Sequence, residues 1–118
     1  LRYGTLEGAD LSGSNLADAK LTTANLGRAK LSEARLAGAD LYGANLEGAD
    51  LRGADLRGTD LRRSKLAQAD LRGADLRGAD LREADLFGAD FRDADLREAN
   101  LEMTAFGGQR FNDYLNVA

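Results

Sequence analysis

The chain has 118 residues and a formal net charge of −4, and it contains no Cys, His, Trp or Pro. The missing Cys and His exclude a disulfide framework, a thiolate site and every Cys–His catalytic arrangement. No apolar run approaches the ~20 residues that a membrane-spanning helix needs, and nothing in the composition marks a linker or a second domain.

A Leu or Phe occupies every fifth position from Leu1 to Phe111, 23 in succession. On an α-helix a step of five residues turns by roughly 140°, which would scatter these side chains around the cylinder. In a long β-strand, residues five apart point to opposite faces. Neither element explains the period, so the chain must turn once in every repeat.

The residues between the leucines predict where the chain turns. Of the 20 positions that lie two residues before a Leu or Phe, from Ala9 to Thr104, 16 are Ala; the others are Ser14, Thr59, Ser64 and Thr104. In a strand, side chains two apart share a face, so the small and the large residue both point inward and the polar residue between them points outward. Gly dominates the second position after the Leu, where it supplies the positive φ of a type II turn. Each repeat is therefore predicted to be three residues of strand and a sharp corner.

Runs such as Ala49-Asp50-Leu51-Arg52-Gly53 and Ala54-Asp55-Leu56-Arg57-Gly58 resemble the pentapeptide repeat family. The pattern of that family is a small residue, Asp or Asn, Leu or Phe, and two variable positions, and the resemblance extends over roughly residues 4–111. It implies an all-β fold, a right-handed, four-sided (quadrilateral) β-helix solenoid with one repeat on each side and about 20 residues in each coil. The 23 repeats would then form just under six coils.

The C-terminal end departs from the repeat. We expect a single domain, with a repeat β-helix over residues 1–108 and a short helical or irregular cap over residues 109–118, because Phe111, Tyr114 and Leu115 follow helical spacing. A solenoid needs a cap because an open coil exposes its core and its strand edges. The resemblance implies a second role for these three residues, because some pentapeptide repeat proteins pair through their C-terminal ends. The same residues are therefore also candidates for a dimer contact. The chain is accordingly expected to be a monomer or a C-terminal dimer.

The sequence carries no motif for catalysis or for ligand binding that its period does not explain. The spacing from Gly53 to Gly58 is similar to the start of a phosphate-binding loop, but Thr59 and Asp60 follow where Lys and Ser or Thr are required. The Gly-rich pattern of calcium-binding β-rolls is missing. We therefore expect no enzymatic activity, no catalytic residue, no cofactor and no metal site.

The sequence does not determine the cellular compartment of the protein. We expect a soluble chain and favour the cytoplasm, although a signal peptide could have been cleaved, because the sequence starts at Leu1 in the middle of a repeat and without an initiator Met. The same start leaves open whether the chain is a complete protein or a domain cut from a longer one.

Three sides of the predicted coil carry columns of opposite charge, because residues 20 apart stack on one side. The Asp columns and the Arg columns beside them are Asp50, Asp70 and Asp90 with Arg52, Arg72 and Arg92; Asp55, Asp75 and Asp95 with Arg57, Arg77 and Arg97; and Asp40, Asp60 and Asp80 with Arg62 and Arg82. One interpretation is a solvated surface that neutralises itself. The alternative is a DNA mimic that inhibits or protects a type II topoisomerase (gyrase), which the resemblance to the family suggests.

The charge balance favours the first interpretation. A DNA mimic needs a strong negative field to attract a basic groove. Between Asp50 and Arg97, however, 10 basic residues stand against 11 acidic ones. Direct binding of nucleic acid is disfavoured as well, since the Arg columns lie beside Asp columns and the chain is acidic.

The fourth side is predicted to be less charged. Its outward columns hold Glu7, Gly27, Glu47, Ala67, Phe87 and Gly107, with Thr5, Asn25, Asn45, Lys65, Asp85 and Ala105 alongside. Aromatic residues in patches of low charge are typical centres of interfaces, so Phe87, Ala67, Asn45 and Tyr42 are the candidate interface residues. The function predicted from the sequence is that of a non-enzymatic, rigid protein-interaction scaffold for an unknown partner protein, with no membrane contact. A DNA-binding enzyme is the less favoured partner.

Overall fold

The structure is a computed structural model that describes residues 4–108 and 116–117. From Thr5 to Asp85, the outward residue of every repeat forms a parallel β-bridge with the outward residue four repeats later, as Thr5 does with Asn25. Because four successive repeats bring the chain back above its starting point, each coil has four sides, with one repeat on each side. The prediction of an all-β, four-sided solenoid is confirmed, while its right-handed sense stays a prediction.

Backbone hydrogen bonds link each coil to the next on all four sides. On one side, the N–H of Leu26 donates to the carbonyl of Asn45 at 2.7 Å, and the N–H of Asn45 donates back to the carbonyl of Ala24 at 2.9 Å. A third bond joins the corners, where the N–H of Arg28 donates to the carbonyl of Glu47 at 2.8 Å. These bonds run along the axis of the rod, so the backbone is satisfied by neighbouring coils.

The corners are the type II turns that the glycine pattern predicts. In the first described repeat the N–H of Ala9 donates to the carbonyl of Leu6 at 3.0 Å, and Gly8 has φ +69° at the third place of the turn. Ten residues other than Gly occupy the same place with φ between 55° and 62°, among them the β-branched Thr23. Because left-handed backbone is costly for such residues, the coil imposes the corner geometry on whatever residue stands there.

The core consists of the leucine columns with the alanines between them. It is continuous from Leu21 to Leu96 and includes Phe91, which is 1% exposed. The leucines of the first described coil, such as Leu6 and Leu11, are only half-buried because no described coil covers them from below. Burial of one Leu side chain contributes roughly 1.5–3 kcal/mol, so this column of apolar contacts stabilises the stack.

The hydroxyl residues in the alanine columns are compatible with burial because each one donates a hydrogen bond. The Oγ1 of Thr59 donates to the carbonyl of Leu56 at 2.8 Å, and the Oγ of Ser64 donates to the carbonyl of Leu61 at 2.7 Å. Each of these carbonyls also accepts the N–H that closes the turn. A small hydroxyl side chain therefore replaces Ala without leaving an unpaired polar atom in the core.

Two short strands mark the C-terminal end of the described rod. Strand β1, Asp95–Leu96, pairs in parallel with strand β2, Asn116–Val117, so that Asp95 stands opposite Asn116. Since Asp85 still pairs with Ala105 in the regular register, one extra residue lies between Ala105 and Asn116. Of the predicted cap over residues 109–118, only β2 is described, and it is a strand and not part of a helix. The remainder of the cap lies outside the described residues and stays a prediction.

The described residues form no helix. Within residues 4–108 and 116–117, none is present that has the length and apolar character needed to cross a membrane. The surface of the described rod is formed by the outward residues of the four sides and by the side chains at the corners.

Candidate functional site

Phe87 stands on the side of the rod that the sequence predicts to be low in charge. We call this side the Phe87 face; its outward residues are Thr5, Asn25, Asn45, Lys65, Asp85 and Ala105, and Glu7, Gly27, Glu47, Ala67, Phe87 and Gly107. The bridges between successive coils confirm that these positions stack. The ring of Phe87 is 56% exposed, and the backbone N–H of Phe87 donates to Oδ1 of Asp85 at 3.0 Å. The site therefore begins with a large apolar side chain in solvent.

Gly107 in the next coil determines where the Phe87 ring lies. A Cβ atom at position 107 would overlap the ring, so the ring lies against the backbone of Gly107. The N–H of Gly88 donates to the carbonyl of Gly107 at 2.6 Å and holds the two coils together at this point. One part of the aromatic ring is thus supported by backbone, which leaves the other parts of the ring for contact with solvent.

The other predicted interface residues divide between two sides of the rod. Ala67 is half-buried directly below Phe87 in the same column. Asn45 lies on the Phe87 face too, where its Nδ2 donates to Oδ1 of Asn25 at 3.3 Å. Tyr42 lies on the neighbouring side, where the guanidinium of Arg62 is 5.2 Å from the centre of its ring. The structure therefore brings Phe87, Ala67 and Asn45 onto one side, and Tyr42 belongs to another.

Tyr42 borders a shallow, highly charged groove. The groove has a volume of about 330 Å³ and is lined by Tyr42, Arg62, Arg63, Arg82, Glu83, Glu102 and Met103. Its charges are partly matched, since Nε of Arg63 donates to Oε2 of Glu83 at 2.7 Å. Met103 at its rim is 80% exposed. The sequence-based prediction did not select Met103 because a single Met at a corner has no periodic signal.

The remaining predicted contact residues belong to the C-terminal end of the chain. Phe111, Tyr114 and Leu115, the candidates for a cap or dimer contact, lie outside the described residues. Phe106, which precedes Gly107 on the Phe87 face, is 51% exposed at the end of the described rod. Its position in the leucine column predicted an inward ring, whereas the structure leaves the ring half exposed.

The charged columns form a regular series of paired forks. In eight repeats, Nε and Nη2 of the Arg donate to the two carboxylate oxygens of the Asp two residues earlier, for example Arg77 to Asp75 at 2.9 and 2.6 Å. We call these pairs the Asp–Arg forks; they are Asp50–Arg52, Asp55–Arg57, Asp60–Arg62, Asp70–Arg72, Asp75–Arg77, Asp80–Arg82, Asp90–Arg92 and Asp95–Arg97. Planar two-point pairing of this kind is the strongest geometry that an Arg and a carboxylate can form.

The forks are also linked along the rod. Nε of Arg57 lies 3.9 Å from Oδ2 of Asp75, and Nε of Arg77 lies 3.8 Å from Oδ2 of Asp95. Each of these arginines therefore stands between the carboxylate of its own repeat and that of the next coil. This arrangement agrees with the self-neutralising surface that the sequence predicts. The shape of the turn brings the Asp and the Arg side chain of one repeat together.

The forks lower the pKa of their carboxyl groups. The hydrogen bonds from Arg97 lower the pKa of Asp95 to about 2, and those from Arg77 lower the pKa of Asp75 below its usual value of 3.8. Burial raises both pKa values, but the hydrogen bonds outweigh it. These aspartates stay ionised and paired at neutral pH, so they are poorly suited to hold or donate a proton in catalysis.

The Arg side chains form the outer layer of the forks. Side-chain exposure is 41–57% for the eight arginines and 18–30% for the eight aspartates. A partner that approaches these three sides therefore meets guanidinium groups before it meets carboxylates. Among the described residues, no cluster of His, Cys, Asp and Glu has the geometry to hold a metal ion.

Comparisons with known proteins agree with the geometry. The family model for pentapeptide repeats matches the chain in eight copies over residues 1–28, 29–68 and 64–102. A pentapeptide repeat protein from the thylakoid lumen of Arabidopsis thaliana is 37% identical, with a TM-score of 0.67 over 80% of this chain and 70% of that chain. A pentapeptide repeat protein from Nostoc is 40% identical, with a TM-score of 0.55 over 79% of this chain and 84% of that chain.

A more distant structure is that of a plasmid-mediated fluoroquinolone resistance protein. It is 22% identical over 96% of this chain and 80% of that chain, with a TM-score of 0.35. A search of curated protein sequences found no match.

Proposed function

This chain belongs to the pentapeptide repeat family, and from that membership we propose that it is a non-enzymatic, rigid scaffold that binds a partner protein through the Phe87 face. The observation that carries the proposal is the exposed ring of Phe87, which is supported from behind by the backbone of Gly107. Aromatic residues that are held in place and surrounded by few charges are typical centres of protein interfaces. The partner is therefore expected to present an apolar pocket or patch to this ring.

The regularity of the backbone supports a scaffold function. Between Thr5 and Ala105 every coil is bridged to its neighbour in one constant register, and the core is continuous through these coils. A surface that is already ordered loses little conformational entropy when a partner binds. The fold therefore favours recognition by a preformed surface over recognition by a loop that must first become ordered.

The chemistry of the surface supports a non-enzymatic function. The chain has no His and no Cys, which are the most common general base and a common nucleophile. Eight aspartates are paired in forks with Arg, and the pKa of each is lowered. The groups that could carry acid–base catalysis are thus engaged in ion pairs.

The test is affinity capture with a matched pair of variants. Wild type, Phe87→Asp and Met103→Asp are immobilised and exposed to lysate of the source cells at moderate salt, and bound proteins are identified by mass. Both variants place one negative charge at an exposed apolar residue, but only one lies on the Phe87 face. We expect wild type and Met103→Asp to retain the same partner and Phe87→Asp to lose it.

A second measurement makes the result quantitative. With the captured partner purified, Phe87→Asp should weaken binding by roughly 30-fold or more, as expected for the loss of an aromatic residue at an interface centre. Thermal unfolding of the three proteins checks that the variants remain folded. Equal capture of the partner by all three proteins would show that the Phe87 face is not the binding surface.

The alternative function is inhibition or protection of a type II topoisomerase by mimicry of DNA. It needs carboxylates that project a continuous negative field. In this molecule the forks place guanidinium groups outside eight of the aspartates, which opposes such a field. Capture of a topoisomerase by wild type and Phe87→Asp alike would favour the alternative over our proposal.

A further inference from the structure

Three arginines stand in register on the side of the rod opposite the Phe87 face. We call Arg57, Arg77 and Arg97 the Arg77 ladder; the bridges from Asp55 to Asp75 and from Asp75 to Asp95 place them one coil apart. With a strand spacing of ~4.8 Å, the first and the third Arg are roughly 9.6 Å apart along the axis. The ladder is thus a straight row of three guanidinium groups.

Each guanidinium of the Arg77 ladder keeps one edge open. Nε and Nη2 donate to the Asp of the same repeat, at 2.8 and 2.7 Å for Arg57 and at 2.9 and 2.5 Å for Arg97. Nη1 of these arginines makes no hydrogen bond within the part of the chain that the structure describes. Since a guanidinium has five N–H donors, the edge that carries Nη1 can bind a second carboxylate.

Two of the three corners beside the ladder carry no side chain. A groove of about 370 Å³ is lined by Arg57, Arg77, Gly78, Arg97 and Glu98. No atom lies within 4 Å of the place where a Cβ at Gly58 or Gly78 would stand. The absence of side chains at these two corners leaves the row of guanidinium groups accessible from the side.

Each of the other two rows of forks has an obstructed corner. In the row of Arg52, Arg72 and Arg92, the carboxylate of Glu33 lies over the corner at Gly53, whereas no atom lies within 4 Å of the place of a Cβ at Gly73. In the row of Arg62 and Arg82, the corner is crossed by the ion pair between Arg63 and Glu83. The Arg77 ladder therefore combines three guanidinium groups with a groove that is open at the corners of Gly58 and Gly78 and is bordered by Glu98 at the third corner.

We propose that the Arg77 ladder binds an acidic α-helical segment of a partner protein, lying along the rod axis with carboxylates at positions i, i+4 and i+7. This inference rests on the scaffold function proposed above and assigns it a second binding surface. On a helix, residues i and i+7 are roughly 10.5 Å apart along the axis, close to the ~9.6 Å between the outer rungs of the ladder. In a strand, carboxylates on one face repeat at ~6.7 Å, which does not match one coil of ~4.8 Å.

The charge of the molecule favours a short acidic helix over a nucleic acid. The net charge is −4, so a polyanion with a charge on every unit is repelled at long range. Each guanidinium of the ladder is already paired with an Asp. The attraction between the ladder and a further carboxylate is therefore short in range and depends on hydrogen-bond geometry. Three carboxylates in register satisfy that requirement.

A helical peptide tests the inference directly. The probe is a fluorescent, Ala-rich peptide of ~20 residues, long enough to form a helix in water, with Glu repeated at i, i+4 and i+7. The control peptide carries Gln at the same positions. Binding to the full chain is measured by fluorescence anisotropy at low salt, and we expect the Glu peptide to bind and the Gln peptide to bind at least tenfold more weakly.

Matched variants locate the binding surface. Arg77→Gln should weaken binding of the Glu peptide roughly tenfold. Arg72→Gln makes the same charge change in the row that Glu33 obstructs at Gly53, and it should leave binding unchanged. Gly78→Asn keeps every Arg and fills the groove with a residue that accepts positive φ, so it should weaken binding as well, while Gly73→Asn should not. Thermal unfolding of the four variants checks that each is folded.

Three outcomes overturn the inference: no binding of the Glu peptide to wild type, equal binding of the Gln peptide, or equal weakening by Arg77→Gln and Arg72→Gln. None of them affects the scaffold function proposed for the Phe87 face, because that function is tested by capture with Phe87→Asp. Conversely, Phe87→Asp lies on the opposite side of the rod and should bind the Glu peptide as wild type does. The two proposals can therefore fail separately.

Discussion

The two halves of the rod have the same interior and different surfaces. In residues 4–45 no Arg follows a Leu directly, and the one ion pair described there joins Arg28 to Glu7. In residues 46–97 the same outward positions carry the eight Asp–Arg forks. Both halves nevertheless keep the same register between coils and the same leucine and alanine columns. Inward residues and corners thus determine the fold, and the outward residues are free to differ.

The corners of both halves include residues other than Gly in left-handed backbone. In the first half, four successive corners have residues other than Gly in left-handed backbone, namely Asp18, Thr23, Arg28 and Glu33. In the second half, four of the eight fork-bearing repeats have Gly at the corner, and the other four have Arg63, Glu83, Asp93 and Glu98 in left-handed backbone. Both halves therefore carry backbone strain in their turns, and they differ mainly in the ordered charge on their sides.

The largest expected effect tests whether the interiors are equivalent. Leu31 and Leu71 belong to one column, one in each half, and both are fully buried. We expect Leu31→Ala and Leu71→Ala to lower the free energy of unfolding by a similar amount, about 3 kcal/mol, measured by chemical denaturation. Leu11→Ala, in the same column but half-buried, serves as the reference and should cost less. A clear difference between the losses in free energy of unfolding at Leu31 and Leu71 would show that the interiors of the two halves are not equivalent.

An intermediate effect should come from the strained corners. Thr23 is a β-branched residue at φ 56°, so Thr23→Gly removes an unfavourable backbone conformation and should raise the free energy of unfolding by about 1 kcal/mol. Thr22→Gly, at the preceding position outside the left-handed region, is the matched control and should bring no gain. If thermal unfolding shows equal changes for both variants, the left-handed conformation of Thr23 carries no measurable strain.

The smallest effect concerns a single fork. Because the pKa of Asp75 is lowered in the folded state, its contribution to stability is present above the unfolded value of 3.8 and is lost as pH falls through the lower folded pKa. At pH 7, Asp75→Asn should lower the free energy of unfolding by roughly 0.5 kcal/mol, the usual size for an exposed ion pair. The difference from wild type should shrink below pH 3.8.

The control for this last prediction lies on the same surface. Asp85 is in the second half but has no Arg two residues later, since Phe87 stands there. Asp85→Asn removes the same charge without removing a fork, so it serves as the control for the loss of one carboxylate. Unfolding curves at pH 7, 5 and 3 for the three proteins decide the question, and identical curves for Asp75→Asn and wild type would show that the fork contributes nothing.

Much of the fold could be predicted because each inward position is constrained separately. Leu every fifth residue, Ala two residues before it and Gly two residues after it leave one kind of unit, three residues of strand and a type II corner. The number of corners in a coil does not follow from that unit. It came from the resemblance to a family, and the bridges between every fourth repeat confirm it.

Less of the candidate site could be predicted, because side-chain positions depend on neighbouring coils. The sequence indicated an exposed Phe87, but the support of its ring by Gly107 depends on a residue one coil away. The sequence also grouped Tyr42 with Phe87, whereas Tyr42 lies beneath Arg62 on the adjacent side. The charge columns were predicted, yet the two-point pairing of Asp75 with Arg77 requires the shape of the corner between them.

The closure of each coil after four repeats also sets what changes in length this molecule can accept. Deletion of a single repeat would keep Leu, Ala and Gly in their columns, but it would rotate every later side by a quarter turn relative to the first half. Deletion of a whole coil would shorten the rod and leave all four sides aligned. Duplication or loss of whole coils therefore preserves the binding surfaces, whereas gain or loss of a single repeat would place old surfaces in new combinations.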